Sequence, residues 1–329
     1  MLELRNSTDG LQSGVLSLGA PRAEFRHEAL FYAGQDEFVA GTGAFVRDGL
    51  ELDEPILAVL SAPKIEALRS ELGSRAERVH FADMGEVGGN PARILPVWRA
   101  FVDQHRRPGR RLRGIGEPIW ATRSPAELVE CQHHESLLNL AFAEAPGFRL
   151  LCPYDTSALD QDVLEEASRS HPLMASNGEE RESTGYRGLD EVGAPFAEPL
   201  PEPLSPPESC VFQADTLAAL REFVSRRAAG AGFSAQMTAD LVLAVSEVAT
   251  NSVVHGGGGG ILRIWRERDA LLSEVSDGGL IDDPLAGRER PPPCLAGGYG
   301  LWLANQLCDL VQVRTFAAGS AVRLHKRRG

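Results

Sequence analysis

A chain of 329 residues, 43% hydrophobic and 24% charged, is long enough for two domains that each bury a core, and its composition is that of a soluble globular protein. A net charge of −13 with no basic face excludes direct nucleic-acid binding. Five scattered cysteines without a CxxC pair argue against a disulfide framework or a zinc site and for a reducing cytoplasm.

Residues 1–20 lack the basic start and long apolar core of a secretory leader. The longest uncharged run, Pro291–Cys308, holds three prolines and three glycines. No membrane segment is therefore expected, and the chain is placed in the cytoplasm. Residues 1–23 have no sustained period and read as a mobile lead-in. From His27 onwards, short apolar runs alternate with helical ones. Strands are predicted over Ala29–Tyr32, Pro55–Ser61, Val79–Met84, Arg113–Glu117 and Phe148–Pro153. Helices are predicted over Gln35–Asp48, Lys64–Leu72, Pro91–His105, Ser124–Ala143 and Gln161–Ser170. Ser124 and Pro125 supply a cap and a proline at the first helical position. This alternation predicts a doubly wound, mostly parallel sheet.

No GxxxxGK[ST] or GxGxxG turn follows any of these strands, so the first half carries no phosphate cradle. His27, Glu117, Trp120 and Cys131 are candidates for a pocket at the carboxyl ends of the strands, against a purely structural role for each. His133-His134-Glu135 reads as a histidine pair on a helix surface. A phospho-acceptor there lacks the usual following proline and a second dimerisation helix.

Residues 171–208 carry 8 acidic and 2 basic side chains, with six prolines between Pro195 and Pro207, and read as an extended linker. The second domain, 209–329, has 13 basic and 12 acidic residues, a balance that admits a polyanionic nucleotide. A strand at Cys210–Gln213 leads to an Asp215-Thr216 cap and a helix ending near Ala229. Ser234 caps the next helix, which ends at five glycines. Hairpins are predicted at Ile261–Arg266 with Leu271–Ser276 and at Leu310–Thr315 with Ala321–Lys326. Between them lie a mobile loop, 280–296, and a helix, Leu301–Leu307. Helices on one face of an antiparallel or mixed sheet make an α/β sandwich.

The helix ending at His255 carries the chemistry. Leu241, Val245 and Val248 recur at helical spacing, and Glu247 and Asn251, four apart, stand together at the border of that stripe. Downstream come Asp277-Gly278-Gly279 and then Gly297-Gly298-Tyr299-Gly300-Leu301. These boxes, with the wording SEVATNSVVHG and GYGLWLANQLCDLVQV, resemble the GHKL ATPases, and most of all the anti-sigma factor/serine-protein kinase branch, over residues 209–326. The resemblance implies a Bergerat-type α/β sandwich that binds ATP and Mg²⁺. Asn251 then holds the metal, Glu247 is the general base, and Asp277 with Gly279 reads adenine. Gly298, Gly300 and Leu301 meet the phosphates. The family's Asp-x-Gly-x-Gly pattern is broken at Ile281. Arg288 and Arg290 lie in the intervening loop, either solvated or reaching a γ-phosphate.

Over residues 24–170, HEALFYAGQDEFVAGTGAFVRDGLELDEPILAVL, GEPIW and LVECQHHESLLNLAF resemble the MEDS sensory domain, a RecA-like fold without Walker motifs. That resemblance implies sensing of an unknown small-molecule or protein signal. Together the two imply a signal-responsive regulator of a sigma factor, acting without nucleic-acid or membrane contact and compatible with a homodimer. Its partners are a sigma factor, an anti-anti-sigma (STAS-type) protein phosphorylated on Ser or Thr, or both. Two alternatives stay open: an ATP-gated binding module without kinase activity, and a soluble sensor histidine kinase.

Overall fold

The computed structural model describes residues 25–176, 179–193, 196–291 and 298–328. The lead-in expected over 1–23 and Gly297 of the last glycine box lie outside the described residues.

In the first half, β1 (Arg26–Tyr32), α1 (Gly34–Glu51), β2 (Ile56–Leu60), α2 (Ala62–Leu72), β3 (His80–Asp83), α3 (Met84–Val87), α4 (Ile94–His105), β4 (Leu112–Gly116), α5 (Pro125–Ala141), β5 (Phe148–Asp155) and α6 (Gln161–Ser170) follow one another. The order β3-β2-β4-β5-β1 is parallel throughout. All five residues of β2 are buried because each face of the sheet has its own core. Leu57 and Val59 pack with Trp98, Leu138 and Phe142, whereas Ile56, Ala58 and Leu60 pack with Phe38, Val46 and Leu68. Helix α4 rests directly on β4, where a Cβ on Gly116 would lie 2.7 Å from the Trp98 ring. Helix α5 starts as expected, with Ser124 and Glu127 closing a capping box.

The expected linker departs from its prediction. Its first residues form β6 (Leu173–Ser176) and β7 (Glu179–Glu182), and β6 pairs in parallel with β1, which is otherwise an edge strand. Glu180 of the outermost strand pairs with Arg26 and Arg149. Such a short acidic edge strand has too little apolar alternation to be read from sequence. Further along, Val192, Phe196 and Leu200 are buried, so this segment lies along the body of the protein.

The second half comprises β8 (Glu208–Gln213), α7 (Leu217–Gly230), α8 (Ala235–His255), β9 (Gly259–Glu267), β10 (Ala270–Asp277), α9 (Tyr299–Leu307), β11 (Leu310–Phe316) and β12 (Gly319–Arg327). Its sheet, β11-β12-β10-β9-β8, is antiparallel throughout. Helix α8 begins at Ser234, whose hydroxyl accepts from the Met237 N–H. It is long and apolar enough to cross a bilayer, yet Leu241, Ala244, Val245 and Val248 are buried with Leu262, Leu271 and Val322, so this is a core helix. The opposite face of the sheet is polar, and Glu274 receives both cross-strand arginines, Arg263 and Arg323. Those arginines also bond Glu202 and the Pro201 carbonyl, which lays the preceding segment over this face. The protein is therefore a doubly wound α/β domain followed by an α/β sandwich.

Candidate functional site

Helix α8 presents its apolar stripe to the sheet and leaves Glu247 and Asn251 half-buried at the stripe's border. The start of α9 meets both. A Cβ added to Gly300 would lie 3.0 Å from Asn251 Nδ2 and 3.4 Å from Glu247 Oε2, so this turn approaches α8 closely because it lacks a side chain. Gly298, at φ 83°, makes the left-handed turn that starts α9. Between α8, the end of β10 and the start of α9 lies a cavity of about 460 Å³, with Asn251, His255, Asp277, Gly279, Gly298 and Leu301 in its wall. Five of the seven sequence-predicted residues are thus together in one cavity. Glu247 and Gly300 stand beside Asn251, outside the cavity wall.

Asp277 is fixed before any ligand arrives. Its Oδ1 accepts from the Gly279 N–H at 2.7 Å, and its Oδ2 accepts from the Ser252 hydroxyl at 2.6 Å. A Cβ on Gly279 would come within 2.8 Å of Gly256 Cα, and one on Gly256 would strike the Asp277 carboxylate. Gly256, the first glycine after α8, is therefore a packing requirement at this corner as well as part of a helix stop. Sequence reading missed Ser252 and also Ser320, 3.5 Å from Asp277 Oδ1. Ser252 directly follows Asn251, so the neighbouring hydroxyl was the available signal.

Residues 26–172 match the family described as MEDS, the methanogen/methylotroph DcmR sensory domain. Residues 211–326 match the histidine kinase-like ATPase domain. The chain joins a MEDS domain to a histidine kinase-like ATPase domain. Comparison with curated proteins gives no match. Among solved structures, a crystal structure of the RsbU and RsbW domains of a Mycobacterium tuberculosis protein is similar at 21% identity and a TM-score of 0.29. That likeness covers 37% of this chain and 32% of the other.

The loop after Asp277 departs from the mobile segment expected over 280–296. Its described part, 280–291, is gripped by the MEDS domain. Leu285 packs on the MEDS core, Glu289 pairs with Arg99 at 2.5 Å, and Asn305 of α9 donates to the Gly287 carbonyl at 3.0 Å. Arg288 is neither solvated nor free to reach a phosphate. It is buried, 3.3 Å from Glu130 of α5, whose other carboxylate oxygen takes Arg314 of β11 at 2.8 Å. Burial pushes the Glu130 carboxyl up, but His133, Arg314 and Arg288 outweigh it and hold the group at about 2. Glu127, one turn earlier, accepts from Arg327 at 2.6 Å. Arg93 completes the contact by donating to the Asn305, Gln306 and Cys308 carbonyls at the end of α9, where a cation also suits the helix dipole.

The histidine pair is not on a helix surface. His134 is 1% exposed and lowered to about 3 by burial, while His133 stacks on Phe196 at 4.5 Å beside Glu130. Helix α5 is covered by its own sheet on one side and by the ATPase domain on the other, and the sequence alone showed only the first of these. Glu117 lies at the carboxyl end of β4, where it accepts from Tyr32 at 2.7 Å and pairs with Lys64. This corner is filled by side chains.

Proposed function

We propose that the ATPase domain binds Mg–ATP in the cavity beside α8 and acts as a signal-responsive, anti-sigma-type serine/threonine kinase. The observation that supports this best is the meeting of Asn251, Glu247 and Gly300, a cradle that a single Cβ would fill. One amide oxygen suffices for a magnesium ion that keeps its waters and binds phosphate oxygens, and Asn251 offers it. Backbone N–H groups at the start of α9 face phosphate oxygens, with Gly298, Gly300 and Leu301 giving the close approach. Asp277, held by Gly279 and Ser252, accepts from the adenine amino group. Bound Mg–ATP supplies the γ-phosphoryl group. Glu247, one turn from Asn251, takes the proton from the attacking Ser or Thr hydroxyl of the partner. That partner is an anti-anti-sigma (STAS-type) protein, and a sigma factor is the second protein bound.

The MEDS domain supplies the signal through the loop it grips. Its α5 holds Arg288 and Arg314 of the ATPase domain together, so a change in α5 reaches the loop that borders the cavity.

Glu247→Gln tests the reading. It keeps Mg–ATP binding and lowers phosphoryl transfer to the partner by ~10²–10⁴-fold. In the parent, label resides on the partner as acid-stable phosphoserine or phosphothreonine. Acid-labile label on this chain, lost in His134→Ala, establishes a histidine kinase instead. Label on no co-purifying protein leaves an ATP-gated binding module.

A further inference from the structure

Away from the ATPase domain, four side chains of the MEDS core converge. His27 of β1, Glu135 of α5, Cys152 of β5 and His171, just after α6, bring their Nε2, carboxylate, Sγ and Nε2 atoms within 4.8 Å of one another. All four are between 0% and 1% exposed. His27 Nε2 lies 3.1 Å from Glu135 Oε2 and 3.3 Å from Cys152 Sγ, and His171 Nε2 lies 3.2 Å from the same carboxylate oxygen.

The surrounding hydrogen bonds fix which atoms carry protons. Asn139 donates its amide N–H groups to the Ser136 and Ser170 carbonyls, so its oxygen must accept from His27 Nδ1, at 3.1 Å. His171 Nδ1 faces the Ala167 carbonyl at 2.8 Å and must also donate. With both rings neutral, both Nε2 atoms turn bare lone pairs towards a carboxylate, and acceptor faces acceptor; only a buried proton or a cation between them relieves this. His171 Nε2 and Glu135 Oε1 are buried without a hydrogen-bond partner. Such an arrangement is costly unless a cation binds between the donors.

We propose that His27, Glu135, Cys152 and His171 form a buried site for a divalent transition metal, zinc by donor set. Zinc takes imidazole nitrogen, thiolate and carboxylate oxygen at about 2.0–2.3 Å in a tetrahedron, whose edges are then roughly 3.3–3.8 Å. The observed spacings approach those edges. Asn139 and the Ala167 carbonyl are the outer partners that set imidazole tautomers at metal sites. On binding, Zn²⁺ gains the Cys152 thiolate, and the thiol proton leaves to solvent. Because binding releases that proton, affinity rises with pH. The expectation of no zinc site came from the lack of a local cysteine pair, whereas successive ligands here are 17 to 108 residues apart along the chain. Glu135 shares α5 with Glu127 and Glu130, so the metal sits on the helix that the ATPase domain grips.

The full chain, stripped with a chelator, is titrated with Co²⁺ and then Zn²⁺. One Co²⁺ per chain, with intense visible bands of tetrahedral cobalt and a thiolate charge-transfer band, is the expected result, and Zn²⁺ should displace it. Cys152→Ser loses the charge-transfer band, Cys131→Ser keeps it, and Asn139→Ala weakens binding by ~10–100-fold. X-ray absorption of the zinc-loaded parent shows one sulfur and imidazole scattering, a readout independent of how any variant folds. Uptake of neither metal, or a zinc shell without sulfur, overturns the proposal and shows that a shared proton holds the cluster together. Neither result bears on nucleotide binding, so the ATPase reading stands or falls separately.

Discussion

Helices α5 and α8 are the central helices of their domains, and both carry glutamates at the border of an apolar face. On α5, Glu127, Glu130 and Glu135 are at most 6% exposed, and each meets arginine or histidine. On α8, Glu247 and Asn251 are half-buried, and among the described residues no ion pair or hydrogen bond engages either side chain. A buried carboxylate must be neutralised by its surroundings, so it fixes elements to one another. A half-exposed one beside a cavity keeps its lone pairs for a ligand and for proton transfer. The first kind organises the protein, and the second kind is available for chemistry.

The largest expected effect follows from removing one of each. Glu130→Ala leaves Arg288 and Arg314 buried and uncompensated, which costs about 3–5 kcal/mol. Chemical denaturation of the full chain should then resolve two transitions where the parent shows one, because the domains no longer unfold together. Glu247→Ala should change stability by no more than about 0.5 kcal/mol. Equal losses in the two variants would erase the distinction between the helices.

Acid gives the next effect. Glu130 is lowered from 4.5 to about 2. A carboxyl with a depressed folded value stabilises fully above 4.5 and loses that stabilisation as pH falls from 4.5 through about 2. The loss amounts to roughly 3 kcal/mol. Stability measured over that range should fall less steeply in Glu130→Gln than in the parent. His133 of α5, Arg288 and Arg314 face the carboxylate, and all three favour its charged form by bonding or proximity. Parallel curves would place the acid sensitivity elsewhere.

Most of the fold was legible because period and capping are local. The alternation after His27, the Ser124 cap with Pro125 and the Ser234 cap each act within a few residues of themselves. The cavity residues were legible for a different reason: glycines and a carboxamide are needed at fixed positions, and the resemblance supplied the order. What the sequence hid is non-local. Arg288 read as a loop arginine because its partner, Glu130, lies 158 residues away. The edge strands β6 and β7 read as linker because pairing with β1, not their own composition, makes them strands. Glu135 read as surface because its partners, His27 and His171, come from other elements of the same domain, and nothing in α5 announces that a second domain also covers Glu127 and Glu130.

A smaller effect is expected at Asp277. Asp277→Asn keeps shape but replaces an acceptor oxygen by a donor, opposite the Gly279 N–H or Ser252 hydroxyl and the proposed adenine amino group. Leaving a polar group mispaired costs about 1–3 kcal/mol. Nucleotide affinity measured by calorimetry should fall accordingly, and the preference for ATP over GTP should shrink with it. A weaker affinity with an unchanged preference would assign Asp277 to holding the corner together rather than to reading the base.

The smallest effect is the most discriminating, because stability and binding should move in opposite directions. Gly300 is the second residue of α9 and has no positive φ, so alanine there favours the helix by up to about 1 kcal/mol. Its Cβ would arrive 3.0 Å from Asn251 Nδ2, at the far end of a flexible side chain that can yield by a few tenths of an ångström. The protein should therefore tolerate Gly300→Ala without losing stability. The displaced amide is the proposed magnesium ligand, and the added methyl group stands where the start of α9 meets α8. Mg–ATP affinity should fall on the order of tenfold, equivalent to about 1.4 kcal/mol. Thermal unfolding and calorimetric titration of the same preparation separate the two quantities. A variant at least as stable as the parent that binds Mg–ATP equally well would show that Asn251 need not occupy this position, and the metal ligand would have to be sought on another element.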